Sequence, residues 1–333
     1  MKDAFEQAWP AFALVAGLLL IGATAAGEGL FAAAGALAAR LRGGGLTLLV
    51  TLLLVEAAVT AVLNLDTAVV FMTPVLLHAA RARGLREDPF LYGAVFMANS
   101  ASLLLPGANL TNLIVLAHEP HVTGSTFAAR LAPAWAVSVV LTIAFVALLR
   151  GEVHPEPYEP PTFRPRLGTA AVAVAAVLVL VLARPALPVL ALGVAVALVA
   201  RTSPRVLNPP LLAGVFAVAV LLGAFARAVD LGALTVGRWA TAWIAAASAV
   251  VVNNLPAAVL LSAHPPAHPR ALLLGLDLGP NLAVTGSLSA LFWLQVARAT
   301  GARPSIVRYS LLGAMLAPAT VVASLLVTAR LWM

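Results

Sequence analysis

Apolar, nearly charge-free runs recur along the chain at about 8–27, 45–63, 68–80, 89–117, 127–149, 168–183, 186–201, 208–227, 241–262, 271–298 and 308–331. At about 1.5 Å of rise per residue, runs such as 8–27, 131–149 and 310–329 are long enough to cross about 30 Å of hydrocarbon. Lipid offers the backbone no hydrogen-bond partner, so such runs form helices, and the alternating segments of a membrane barrel are absent. The pattern predicts an all-α integral membrane protein with about ten membrane-embedded segments. Two runs carry a polar break near the middle. NLDT interrupts 45–80 at Asn64, Leu65, Asp66 and Thr67, and NNLP interrupts 241–263 at Asn253, Asn254, Leu255 and Pro256.

Composition agrees with the pattern. Hydrophobic residues make up 62% of the 333 and the mean hydropathy is +1.01, well above the roughly 45–50% apolar usage of soluble domains. Cysteine is absent, which excludes disulfides, thiolate metal sites and thiol redox chemistry. The pI near 11.1 comes from arginines in short loops between apolar runs, so it speaks to membrane orientation and not to nucleic acid. The first run follows Lys2, Asp3 and Glu6 without a positive leader or a small-residue cleavage site, and reads as a retained helix.

Loop charge sets the path. If 8–27 runs inward, Arg40 and Arg42 lie inside; Arg81, Arg83 and Arg86 join them only if 45–80 enters and leaves on one face, as a re-entrant hairpin. Its arms, 45–63 and 68–80, are too short to need a second crossing. Continuing the count places Arg150, Arg164, Arg166, Arg201, Arg205, Arg298, Arg303 and Arg308 inside as well, and brings the chain into the hairpin 241–263 from the outer side. The hairpins are then opposed. The halves are a first inverted repeat at 1–150, a proline-rich cytoplasmic linker at 151–167, and a second repeat with an extra helix pair at 168–333. Aligning Asn64–Val69 with Asn254–Val259 matches the tips. Aligning PGANLTNL (106–113) with LGPNLAVT (278–285) matches interruptions in the broken helices 89–117 and 271–298, pairing Asn109 with Asn281. Paired interrupted segments mark a transporter's midplane site.

Ionisable groups deep in apolar surroundings are few, and each needs a cavity, a partner or a proton. Asp66 reads as a proton carrier or as the N-cap of a helix starting at Ala68; capping does not require an acid in the membrane, which favours the carrier. Asp277, in the DLGPN break, reads equally as a site acid or as a cap for freed backbone. Glu56, inside a hairpin arm, calls for an interhelical partner. Glu28 falls at an interface ahead of an in-plane amphipathic arm at 29–40. Around the breaks gather Asn64, Thr67, Asn99, Asn109, Thr111, Asn112, Asn253, Asn254, Asn281, Thr285 and Ser287, with Ser289 close by. Each alone reads as interhelical glue; together they read as a site for a small solute, with Asn64, Asp66 and Asn109 able to hold sodium. The histidines fall near segment ends, and no HExxH, GxSxG or P-loop lysine occurs. These features predict a transporter rather than an enzyme, with no cofactor, driven by a proton or sodium gradient.

The segments NLDTAVVFMTP, ANSASLLLPGANLTNLIV, VVNNLPAAVLLSA and GLDLGPNLAVTGSLSALFWLQVA closely resemble the ion transporter superfamily, and within it the arsenite efflux permeases. The resemblance implies a multi-pass inner-membrane transporter working by alternating access, with Asp66 and Asp277 at the site and proton exchange driving efflux of arsenite or antimonite. It also implies lipid as surroundings, and it is compatible with a homodimer or with docking of a cytosolic ATPase. Two departures stand against arsenite: those pumps carry an acid at the position of Asn99 and a lysine at that of Asn281. The chain also starts late against the family pattern, without its first two helices. The alternative is a sodium- or proton-coupled permease for an anion such as a dicarboxylate, citrate or sulfate.

Overall fold

The computed structural model describes residues 2–119, 121–150, 159, 161–182, 185–207, 209–226 and 237–329. Most of the linker at 151–167, and the approach to the second hairpin at 227–236, lie outside the described residues. Among those described, every regular element is helical. The chain is an all-α, multi-pass membrane protein.

The first helix, α1 (Lys2–Gly27), bends by 73° into α2 (Leu30–Ala38). The bend is built by Gly29, whose φ of 80° suits glycine. It is fixed by Glu28, whose carboxylate accepts from the backbone N–H groups of Arg166 (3.0 Å), Gly168 (2.7 Å) and Thr169 (2.7 Å). Glu28 thus caps the next half's first helix, and α2 packs on α4 (Leu65–Ala82) with Phe31, Ala32 and Gly35 buried.

The predicted first hairpin is α3 (Gly45–Val62) and α4 (Leu65–Ala82), joined by Leu63 and Asn64 and packed on one another. The start of α3 meets the end of α4: a Cβ on Gly45 would touch Leu85 at 2.9 Å. Both arms therefore open at one end of the molecule. Arginines gather there too: Arg83 donates to the carbonyls of Ala39, Leu41 and Gly43, Arg81 pairs with Glu87 (2.7 Å) and reaches Thr300, and Arg308 pairs with Asp88 (2.9 Å). The second arm is longer than the hydropathy suggests, Leu65–Ala82 against 68–80, because α4 begins at Leu65 and not at Ala68. At 18 residues each the arms reach about 27 Å and are long and apolar enough to cross a membrane, contrary to the expectation of arms too short for a crossing. Of the 18 residues of α4, 78% are buried inside the protein, so it is a central element despite its apolar composition.

The first broken helix is α5 (Glu87–Ala101), a 3₁₀ turn at Pro106–Ala108 and α6 (Leu110–Leu116); α7 (Gly124–Ala147) follows. In the second half come α8 (Leu167–Val181), α9 (Ala186–Ala200) and α10 (Pro209–Ala226). Then α11 (Arg238–Val252) and α12 (Asn254–Leu261) form the second hairpin, α13 (Pro269–Leu278) and α14 (Leu288–Ala299) the second broken helix, and α15 (Ile306–Ala329) ends the fold. The order span, hairpin, broken helix, span therefore occurs twice. Small residues let backbones close up at the crossings: Gly17 lies against Val189 and Gly193 on α9, and Gly275 against Ala242 on α11.

Candidate functional site

Each of the four breaks starts a new helix, and each start is capped by a residue from the polar cluster. Asn64 accepts from the N–H of Thr67 (2.7 Å), Asn109 from Thr111 (3.2 Å), Asn253 from Leu255 (3.4 Å) and Ser287 from Ala290 (3.1 Å). A short polar side chain at the N-cap satisfies one orphan amide and leaves the helix's positive end facing the break. Asn253 reaches this position at φ 78° and ψ 148°, a positive-φ conformation that costs a non-glycine residue on the order of 1–3 kcal/mol.

Beyond the caps, one buried network joins the two broken helices. Asp277 Oδ1 accepts from Thr111 Oγ1 (2.7 Å) and Asn109 Nδ2 (2.9 Å). Asn109 also reaches Ser102 Oγ (3.5 Å), which donates to the carbonyl of Asn99 (2.8 Å). Asn99 Nδ2 donates to Asn281 Oδ1 (2.9 Å), Asn281 Nδ2 to Ser100 Oγ (3.3 Å), and Thr142 Oγ1 on α7 to the same Ser100 Oγ (2.8 Å). Asn112 pins the first break from within, donating to the carbonyls of Ser102 and Leu105. Asp277, Asn99, Asn281 and Thr111 are at most 1% exposed, so the network is closed over in this conformation. Three of its oxygens, Asp277 Oδ2, Asn99 Oδ1 and Asn112 Oδ1, have no hydrogen-bond partner. Buried acceptors left open in this way suit a proton or a small cation.

Asp66 stands apart from that network. It lies in the first turn of α4 rather than ahead of the helix, and Asn64 does the capping; Asp66 Oδ1 instead accepts from Ser289 Oγ on α14 at 2.6 Å. Of the three residues expected to hold sodium, Asp66 bonds Ser289, Asn109 bonds Asp277 and Ser102, and Asn64 bonds within its own turn. Thr67 is fully buried with its Oγ1 unpartnered. At the second tip, Asn253 Nδ2 donates to the carbonyl of Thr285 (2.9 Å), the exposed Thr285 hydroxyl donates to Val250 (2.9 Å), and Asn254 is buried in the first turn of α12. The second broken helix is the hub, meeting the first hairpin through Ser289, the first broken helix through Asp277 and the second hairpin through Thr285.

The geometry also revises the internal repeat. The sequence alignment pairs Asn109 with Asn281, but the structural counterpart of Asn109 is Ser287, since each caps the second arm of a broken helix. Two residues beyond each cap, Thr111 and Ser289 donate a hydroxyl to a buried aspartate of another element. The alignment slips because the second break holds an additional 3₁₀ turn, Gly279–Leu282 before Val284–Gly286. Ser100, Ser102 and Thr142 were missed. The first two follow Asn99 in the ANSAS segment, which carries a visible polar signal; Thr142 sits in an apolar span and gives none.

Comparison with known proteins adds a family to this geometry. Residues 4–276 match the family model CitMHS, described as citrate transporter. The chain belongs to the citrate transporter family CitMHS. The matched segment holds both hairpin tips and the first broken helix and stops one residue before Asp277, so the place of that acid rests on its contacts alone. No curated protein matches the chain in sequence. Among solved structures, the crystal structure of the Alcanivorax borkumensis YdaH transporter, described as revealing an unusual topology, superposes with a TM-score of 0.52. It is 17% identical, over 99% of this chain and 87% of that one. At that identity the likeness is one of fold. This CitMHS member is thus a membrane transporter by family and transporter-like in fold.

Proposed function

We propose that this CitMHS protein is a secondary active permease for a small carboxylate anion of the citrate class, coupled to protons or sodium. The family match over residues 4–276 carries the reading; it favours the anion permease over the arsenite efflux that the motif resemblance alone suggests. The site chemistry fits. Its interior pairs helix N-termini, which attract carboxylates, with the two acids Asp66 and Asp277 and with open oxygens on Asp277, Asn99 and Asn112. An anion entering beside two carboxylates needs their charge offset, so cation and anion bind together, which is the physical basis of coupling. Asp66, at a hairpin tip and held by one hydroxyl, is the proton carrier in this reading, with the protein seated in the inner membrane and the linker 151–167 cytoplasmic.

The test is uptake of radiolabelled citrate by proteoliposomes of the purified chain under an imposed proton gradient, an imposed sodium gradient, or neither. Uptake raised by one gradient, and lost in Asp66→Asn while counterflow exchange persists, supports the reading. Absence of any citrate counterflow in the wild type, with arsenite moving instead, would sink it.

A further inference from the structure

Among the described residues, Glu56 is the one acid the site leaves unused that lies wholly inside the protein. It is 0% exposed in the fourth turn of α3, and neither carboxyl oxygen has a hydrogen-bond partner; the interhelical partner expected from the sequence is not there. Thr60, one turn nearer the hairpin tip, is equally buried with its hydroxyl unpartnered. The flanking Leu54 and Val55 are exposed, so α3 shows an apolar face outward and turns Glu56 and Thr60 inward.

The direction of that face follows from packing. Leu53 touches the place a Cβ would take on Gly93 of α5, and Leu46 and Leu49 share a cavity wall with Pro89 and Phe90. The two helices therefore run parallel, which brings Thr60 level with Ser100, a member of the buried network. Glu56, Thr60 and Ser100 make a rising series of polar groups, unjoined in this conformation, from the arm of the hairpin to the site.

We propose that Glu56 is a second proton-binding carboxyl of the transport cycle, held here as the neutral acid and exchanging its proton when movement of the hairpin brings water or the Thr60 hydroxyl to it. The inference rests on the proton-coupled form of the function proposed above. A lone carboxylate without donors is strongly disfavoured in this setting, whereas a carboxylic acid is tolerated. On release the O–H bond breaks, the electron pair stays on Glu56 as carboxylate, and the proton passes to water as hydronium; uptake reverses the step. The elements packed on α3 bring other titratable groups: Asp66, His78 and Arg81 on α4, Glu87, Asp88 and Tyr92 on α5, and Arg130 on α7; the turn Pro106–Ala108 brings none. None of them hydrogen bonds Glu56. Arg81 and Glu87 pair with each other, Asp88 with Arg86 and Arg308, Arg130 with Glu119, while Tyr92 is engaged by Ser305.

Two measurements test this. In proteoliposomes, the ratio of protons to citrate moved, and the pH dependence of uptake, are compared for wild type, Glu56→Gln and Glu56→Asp. The expected result is one proton fewer per citrate and a flattened pH profile in E56Q, with citrate counterflow retained and the profile restored in E56D. An E56Q variant with the wild-type ratio and profile overturns the proposal. Separately, infrared titration of the purified chain without cargo reads the protonated carboxyl directly. A carboxylic-acid band present in the wild type, absent in E56Q and retained in E56D supports the assignment, and identical spectra for wild type and E56Q refute it. If E56Q does not fold, the infrared band of E56D decides: a carboxylic-acid band displaced from its wild-type frequency supports the assignment, and a band that does not move counts against it. A wild type that exchanges no citrate refutes the cargo reading and leaves the infrared result standing.

Discussion

Replacing Gly313 with alanine tests how tightly the second break is held. Gly313 is buried on α15, and a Cβ built there would lie 1.8 Å from the carbonyl oxygen of Asn281 and 2.7 Å from its carbonyl carbon. Ordinary contact distances require the helix and the turn to part by about 1 Å or more. Neither yields easily: the turn is tied to α15 by the Tyr309 hydroxyl, which donates to the carbonyl of Pro280 at 3.0 Å, and the Asn281 side chain is held by Asn99 and Ser100. Overpacking of this kind costs about 1–3 kcal/mol, and losing the two Asn281 hydrogen bonds adds about 0.5–1.5 kcal/mol each. These terms total roughly 2–6 kcal/mol; at about 2–4 °C per kcal/mol, the scale for domains of about 150–250 residues, the melting temperature of purified G313A should fall by roughly 4–24 °C, with citrate counterflow reduced because the displaced residue belongs to the network. Gly214→Ala is the control. Gly214 is exposed on α10 with nothing within 4 Å of its built Cβ, so alanine there should leave melting unchanged or raise it slightly. A G313A protein that melts and transports like the wild type would refute the close seating of α15 on the break.

Removing the shortest donor to Asp277 in Thr111→Val should lower the coupling-cation concentration for half-maximal citrate uptake about tenfold or more, since the bare carboxylate loses a hydrogen bond that contributes about 1.5–3 kcal/mol and takes up a proton or cation more readily in its place; Thr111→Ser should restore the wild-type value, and an unchanged half-saturation in T111V would count against the Asp277 site. Trp293 is fully buried and its indole N–H donates to the carbonyl of Leu91 at 2.7 Å, so Trp293→Phe should destabilise the fold by about 1–3 kcal/mol through the orphaned carbonyl, read as a lower melting temperature. For Glu28, burial raises the pKa, but the hydrogen bonds from Thr169, Gly168 and Arg166 outweigh it and hold the carboxyl below its ordinary 4.5. A depressed folded-state pKa stabilises above the unfolded value, and that contribution is lost as pH falls through the folded one. Wild-type melting should therefore drop on acidification below about pH 4.5, and Glu28→Gln should lack that component of the drop.

What could be read from the sequence was whatever leaves a polar mark on an apolar background. Asn64 and Asp66 in one run and Asn253 and Asn254 in another located both tips, because unpaired backbone at a break demands such residues in lipid. Arg81, Arg83 and Arg86 indicated that the first hairpin opens at one end, and their bonds to the 39–43 loop and to Thr300 lie at that end. Pairing across the fold was not legible. Asp66 finds Ser289 and Asp277 finds Thr111 over separations of 223 and 166 residues, and no local rule carries that information. Glu56 fails in the opposite sense, since a buried acid calls for a partner by desolvation alone and the fold supplies none.

The equivalence of Thr111 and Ser289 bears on how coupling is built. In each broken helix a cap fixes the start of the second arm, and the hydroxyl two residues on is aimed at an aspartate that another element contributes. Moving the arm therefore moves the donor away from the acid. An aspartate that loses its donor must take a proton, a cation or water in exchange, because bare charge is not tolerated at that depth. Under the coupling proposed above, the ionic state of Asp66 would follow the position of the first hairpin against the second broken helix, and that of Asp277 the position of the two broken helices against each other. Two acids tied to two different interfaces can be discharged in sequence. Strict coupling needs such a sequence, and a single acid at the centre of the site would not provide it.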